Sequence, residues 1–186
     1  MTDGFVDQAK ANMSALERLL KGLPGIEGYV DKELRRAADK QLRELLATHL
    51  TEQKQQLFAI QKQLLSNGGL RWLDDVDQII QKLQTLTDRI KTASYGYAGL
   101  FDAVKIGEEQ LAALHQFDLD LATHVAKIGE ILPRLQTSTT GSESIQPLLQ
   151  ELSQAVTEMD TIFNHRRDGI LSPDVLPNAA ARPASL

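Results

Sequence analysis

"SYGYAGLFDAVKIG", residues 94–107, decides between two shapes for this chain. It holds Tyr95, Tyr97 and Phe101, three of the nine aromatic residues, together with Gly96, Gly99 and Gly107. Before it, Trp72, Val76, Ile79, Leu83, Leu86, Ile90 and Ala93 alternate in steps of four and three, the seam of a coiled-coil-like helix. The same phase continues through Tyr97, Leu100, Val104, Leu111, Leu114, Leu121, Val125, Ile128, Leu132 and Leu135, interrupted only by Gly107 and Asp118. Unbroken, this is one helix of roughly 64 residues, about 95 Å long, and the protein is a rod. Broken, it is two helices of a compact bundle. Each glycine costs up to ~1 kcal/mol inside a helix. Phase agreement across a loop also arises readily, because two positions in seven satisfy the pattern. A break or a distorted short helix over 94–107 is therefore favoured.

The rest of the chain reads as helix. Residues 3–21 carry Val6, Ala9, Met13, Leu16, Leu19 and Leu20 at helical spacing, and "KGLPGIEG" breaks the pattern after them. A long helix is expected from about Tyr29 to Ser66, with an apolar face from Val30 through Leu42, Leu50, Leu57 and Ile60 to Leu64. "TEQKQQ" weakens that face at its middle. Asp31 with Arg35, Asp39 with Arg43 and Lys40 with Glu44 lie one turn apart on an outer, solvated face. "NGG", residues 67–69, stops the helix, since Asn and Gly tolerate the left-handed conformation such a stop needs. Asp74, Asp75 and Asp77 then crowd the start of the next helix, where the helix dipole favours negative charge. Gly107 with Glu108 and Glu109 marks another start, and Pro133 is expected to end or kink that helix. After the polar stretch 137–144, a last helix runs from about Glu143 to Arg166. The expected fold is all-α: an antiparallel up-down bundle of four main helices plus a shorter N-terminal one. Residues 1–166 form that single domain, and the Pro-containing tail 167–186 is expected to be disordered.

Composition narrows the function. Of 186 residues, 42% are hydrophobic and 24% charged, and the net charge of −5 gives no basic field for nucleic acid. Without cysteine there is no disulfide, thiol catalysis or thiolate metal site. No signal peptide and no membrane-spanning run is visible, so a cytoplasmic protein is the consistent reading.

Motifs for chemistry are lacking. His49, His115, His124 and His165 form no metal-ligating pattern, and no serine lies in a nucleophile elbow. The acids at 74, 75 and 77 lack the loop and closing Glu of a calcium hand. Asp118 and His49 depart from the apolar pattern with no evident partner. No enzyme activity, cofactor or metal is expected. Two features could meet a partner: the basic residues Arg35, Arg36 and Lys40, and the aromatics Tyr95, Tyr97 and Phe101. The former are interleaved with acids, which favours a salt-bridged surface. The latter either plug the end of the bundle, which is favoured, or form an exposed docking patch.

"ADKQLRELL" (38–46), "TASYGYAGLFDAVKI" (92–106) and "HQFDLDL" (115–121) resemble segments of uncharacterised prokaryotic helical proteins, over most of residues 26–135. The resemblance implies a helical-bundle family of which the 94–102 segment is a defining feature. It implies no activity and assigns no residue a role. The expected function is a helical scaffold acting by protein–protein contact or self-association, with a homodimer as one form. A peripheral membrane or envelope accessory role and a small-molecule binder using the bundle interior are the alternatives.

Overall fold

The computed structural model describes residues 32–93, 108–139 and 144–171, with side chains over 40–93, 116–139 and 144–168. The N-terminal helix expected over 3–21, the segment 94–107 and the tail beyond Leu171 lie outside the described residues.

The described residues form four α-helices: α1 (Lys32–Ser66), α2 (Leu73–Thr92), α3 (Glu108–Ser138) and α4 (Ile145–Leu171). A single 3-10 turn, Leu70–Trp72, leads into α2. The fold is the expected all-α bundle, with α1 paired on α2 and α3 paired on α4 as antiparallel hairpins. Side-chain bonds between the hairpins reveal the ring order. Gln53 of α1 reaches Val125 of α3, and Asn67 beyond α1 reaches Thr139 beyond α3, so these two helices run parallel. Lys82 reaches Ser153 and Arg89 reaches Asp160, so α2 and α4 also run parallel. Each helix therefore has one antiparallel and one parallel neighbour, and α2 faces α3 across the diagonal in the opposite direction.

That last relation rules out the rod. One continuous helix through residues 72–135 would leave α2 and α3 collinear. Both instead pack in one core, running in opposite senses.

The seam read over Trp72–Ala93 is the buried face of α2. Val76, Ile79, Leu83, Leu86 and Ile90 are all within 2% exposure, and Trp72 and Ala93 pack half-buried at its ends. Ile80 and Thr87 are buried too, because a helix with two neighbours must hide a wider stripe than a two-stranded seam. The Thr87 hydroxyl donates to the Leu83 carbonyl at 2.7 Å, which satisfies it inside the core. Burying each large aliphatic side chain stabilises the bundle by about 1.5–3 kcal/mol, and this term dominates the helix packing.

The α1–α2 turn follows its sequence. Gly68 takes φ +77°, the left-handed conformation that ends the helix. The Gly69 amide then donates to the Leu64 carbonyl at 2.8 Å, closing a Schellman-type cap.

Three details differ from the sequence reading. Of the two expectations for Pro133, ending or kinking the helix, the first fails, because Pro133 lies inside α3. Proline there removes one amide donor, at a typical cost of ~3 kcal/mol. Ile131, Leu132 and Leu135 on either side are within 1% exposure, and their packing carries the helix through. By contrast Pro147 falls in the first turn of α4, where the amide has no intrahelical acceptor to lose. Second, α4 continues past Arg166 to Leu171. Third, the polar middle of α1 is more than a weak stretch of seam. Gln53 is buried at 7% exposure, and Lys54 bonds Gln84 of α2.

Candidate interaction surface

The sequence candidates are distributed unevenly. Tyr95, Tyr97 and Phe101 lie outside the described residues, and so do the side chains of Arg35 and Arg36. Lys40 is exposed and pairs with Glu44 at 3.8 Å, as its one-turn spacing predicts. Arg43 corrects the reading of that face. It is buried at 6% exposure instead of standing on the solvated side. The α1–α3 register set by Gln53 and Val125 puts it within a turn of the level of Asp118.

Asp118 and Arg166 are the most deeply buried charges of the described residues. Arg166 Nε donates to Asp118 Oδ1 at 2.5 Å, with side chains 5% and 3% exposed. The two stand on opposite arms of the α3–α4 hairpin. Asp118 thus has the partner that the sequence did not disclose. Phe117 and Phe163 are buried in the same part of the hairpin.

Higher on the same hairpin, His124 joins a second polar group. Its Nδ1 lies 2.8 Å from the Asp120 carbonyl and its Nε2 3.3 Å from Glu158 Oε2. Glu158 also accepts from Lys127 Nζ at 3.2 Å and from Gln154 Nε2 at 2.8 Å. The Gln154 bond, followed by Lys127 and His124, holds the Glu158 carboxyl below its ordinary value against an opposing desolvation. Between α2 and α4, Arg89 spans Asp160 and Asn164 and lies over the Phe163 ring at 5.5 Å. His49 stands 3.4 Å from Glu52 on its own helix. These groups join helix to helix or turn to turn, and no group of three His, Cys, Asp or Glu among the described residues is placed to hold a metal.

Three large apolar side chains stand exposed among the described residues. Phe58, Leu65 and Leu70 are 42%, 58% and 62% exposed. Phe58 and Leu65 are seven residues apart and share a face of α1. Their direction follows from their neighbours. Gln53 points to α3 and Lys54 to α2, and Phe58, one turn beyond Lys54, is rotated a further ~40° outward. The two side chains therefore stand at the outer edge of the α1–α2 hairpin, away from α3 and α4. Leu70 adds to the same end of that hairpin. The exposed acids Asp74, Asp77 and Asp88 lie on α2, where Asp77 and Asp88 accept from Gln81 and Gln84 of the same helix. The sequence reading passed over Phe58 and Leu65 because both fall off the main seam. Their own seven-residue spacing was the available signal.

No helix among the described residues is long and apolar enough to cross a membrane. The chain matches no protein-family model, no curated protein and no solved structure.

Proposed function

We propose that this chain is a non-enzymatic helical scaffold that works by protein–protein contact, through the outer face of the α1–α2 hairpin. The supporting observation is the exposure of Phe58 and Leu65 on one face of α1, with Leu70 exposed at the same end of the hairpin, the exposed large apolar side chains among the described residues. Large apolar side chains gathered on a surface, rimmed by charge, mark a contact site more often than they mark chance. The buried charges serve as struts between helices, a structural role.

A photo-crosslinking residue in place of the exposed Lys62, beside this patch, tests the reading in the full chain. A discrete adduct, identified by mass spectrometry and lost in the Phe58→Asp/Leu65→Asp variant, is the expected result. No adduct, or one indifferent to those substitutions, overturns it. Co-sedimentation with anionic vesicles that depends on Phe58 and Leu65 would move the face to a lipid surface instead.

A further inference from the structure

We propose that Asn67 is a site of spontaneous, one-way modification: it loses its side-chain amide as ammonia, through attack by the Gly68 nitrogen, and this cuts a tie between the two hairpins.

Four asparagines occur in the chain, and Asn67 alone is followed by glycine. The attacking atom is the main-chain nitrogen of the next residue, so a side chain on that residue crowds the reaction and glycine does not. The surroundings are open as well. Asn67 is exposed, and nothing stands within 4 Å of where a Cβ on Gly68 would lie. The amides before and after the attacking one are tied down. That of Asn67 donates to the Gln63 carbonyl at 2.9 Å, and that of Gly69 to the Leu64 carbonyl at 2.8 Å. The Gly68 amide donates to no backbone carbonyl among the described residues. Asn164 is the contrast. It is followed by His165, lies inside α4, accepts from Arg89 and donates to Asp160 at 3.2 Å.

The chemistry needs only water. Hydroxide takes the Gly68 amide proton, and the nitrogen attacks Asn67 Cγ. The N–Cγ bond forms, the Cγ–Nδ2 bond breaks, and Nδ2 picks up a proton and leaves as ammonia. Water then opens the cyclic imide, placing its hydroxyl on either imide carbonyl carbon and returning a proton to the Gly68 nitrogen. Opening at Cγ gives aspartate. Opening at the main-chain carbonyl gives isoaspartate, with the chain rerouted through Cγ. Water is consumed and ammonia released in equal number, and an uncharged side chain becomes an anion.

The change matters at this turn. Asn67 Nδ2 donates to the carbonyl of the buried Thr139 at 3.0 Å, which joins the α1–α2 turn to the end of α3. A carboxylate has no proton to donate there, and it sets negative charge against the carbonyl oxygen. In isoaspartate the extra backbone atom also breaks the spacing of the cap between Leu64 and Gly69. The Thr139 bond sets the pace, because the amide reacts only while that bond is open. It lies at a helix end, where local opening costs least.

Peptide mapping of the full-length protein, held folded in mildly alkaline buffer and sampled over weeks, tests the proposal. The expected result is conversion of Asn67 to paired aspartate and isoaspartate products, faster at higher pH, with Asn164 intact. Gly68→Ala, which adds strain but keeps the fold, should slow the conversion several-fold. In the separated product, hydrogen exchange at residues 64–69 and 136–139 should be faster than in the intact chain. An Asn67 that persists in native buffer and converts only in urea overturns the proposal. So does conversion no faster than at Asn164, or indifferent to Gly68→Ala. Modified protein whose exchange matches the intact chain overturns the cut between the hairpins.

Discussion

Arg166 on α4 donates from Nε to Oδ1 of Asp118 on α3 at 2.5 Å, and both side chains are closed off from solvent. Two charges taken out of water are costly unless each satisfies the other, so the pair weighs most when half of it is removed. Asp118→Asn keeps the shape and removes the carboxylate that the Arg166 Nε bonds inside the hairpin. The expected loss is about 3–5 kcal/mol, read as a lowered denaturant midpoint with an unchanged slope. Replacing both, Asp118→Leu with Arg166→Met, should recover most of that loss. A double variant as unstable as the single one would show that the pair's other contacts matter more than its charge balance.

The α1–α2 cap depends on two glycines for different reasons. Gly68 holds φ +77° with open space around it, so Gly68→Ala costs conformational strain alone, about 1 kcal/mol. At Gly69 the trouble is contact. An added Cβ would come within 2.9 Å of Leu64 Cδ2 and 3.2 Å of the Leu64 carbonyl oxygen, in a side chain 1% exposed. Gly69→Ala should therefore destabilise the hairpin as well, and weaken protection of the Gly69 amide in hydrogen exchange. Thermal unfolding of the two variants, with exchange at residues 64–72, checks both.

These cases show which parts of the fold were legible in sequence. "NGG" and the Trp72–Ala93 seam are local patterns, and each carries its geometry within a few turns of chain. The end of α1 at Ser66 and the pair Lys40–Glu44 were readable for the same reason. Asp118 with Arg166 was not, since the pairing needs the register of an antiparallel hairpin whose arms meet 48 residues apart. Arg43 was misplaced because alternating charges around it look like a solvated face, and its burial shows only in the packed bundle. Phase alone also could not distinguish a rod from a bundle, because a heptad pattern says which face is buried and not where the helix stops.

Gln53 offers a case where removing a polar group should cost little. Its Nε2 donates to the Val125 carbonyl at 2.7 Å, close beside Gly129, where an added Cβ would lie 3.3 Å away. Its Oε1 is buried without a hydrogen-bond partner among the described residues. The Val125 carbonyl lies inside α3 and keeps its helical amide donor if Gln53 is removed. Gln53→Leu thus deletes an unsatisfied acceptor, leaves no orphaned group behind and keeps a similar volume. The expected change is within about 1 kcal/mol and towards higher stability. A loss of several kcal/mol by chemical denaturation would mean that a bound water or neighbouring group completes the amide.

Glu158 predicts how the α3–α4 hairpin responds to acid. Its carboxyl is held below its ordinary value in the folded protein, first by the Gln154 bond and then by Lys127 and His124. A carboxyl with a depressed folded value contributes stability that is present above its unfolded value, about 4.3. That contribution fades as pH falls through the lower folded value, because protonation then occurs in both states. Glu158 is partly exposed, so solvent screens the effect and it will be modest. Glu158→Gln removes the carboxylate but keeps an acceptor for Gln154 and Lys127. The variant should be less stable than the native chain near pH 6, and the gap should narrow steadily below about pH 4. Urea midpoints measured every half pH unit across this range test it. A gap that stayed constant would assign the loss to packing, and one that widened in acid would contradict the sign of the shift.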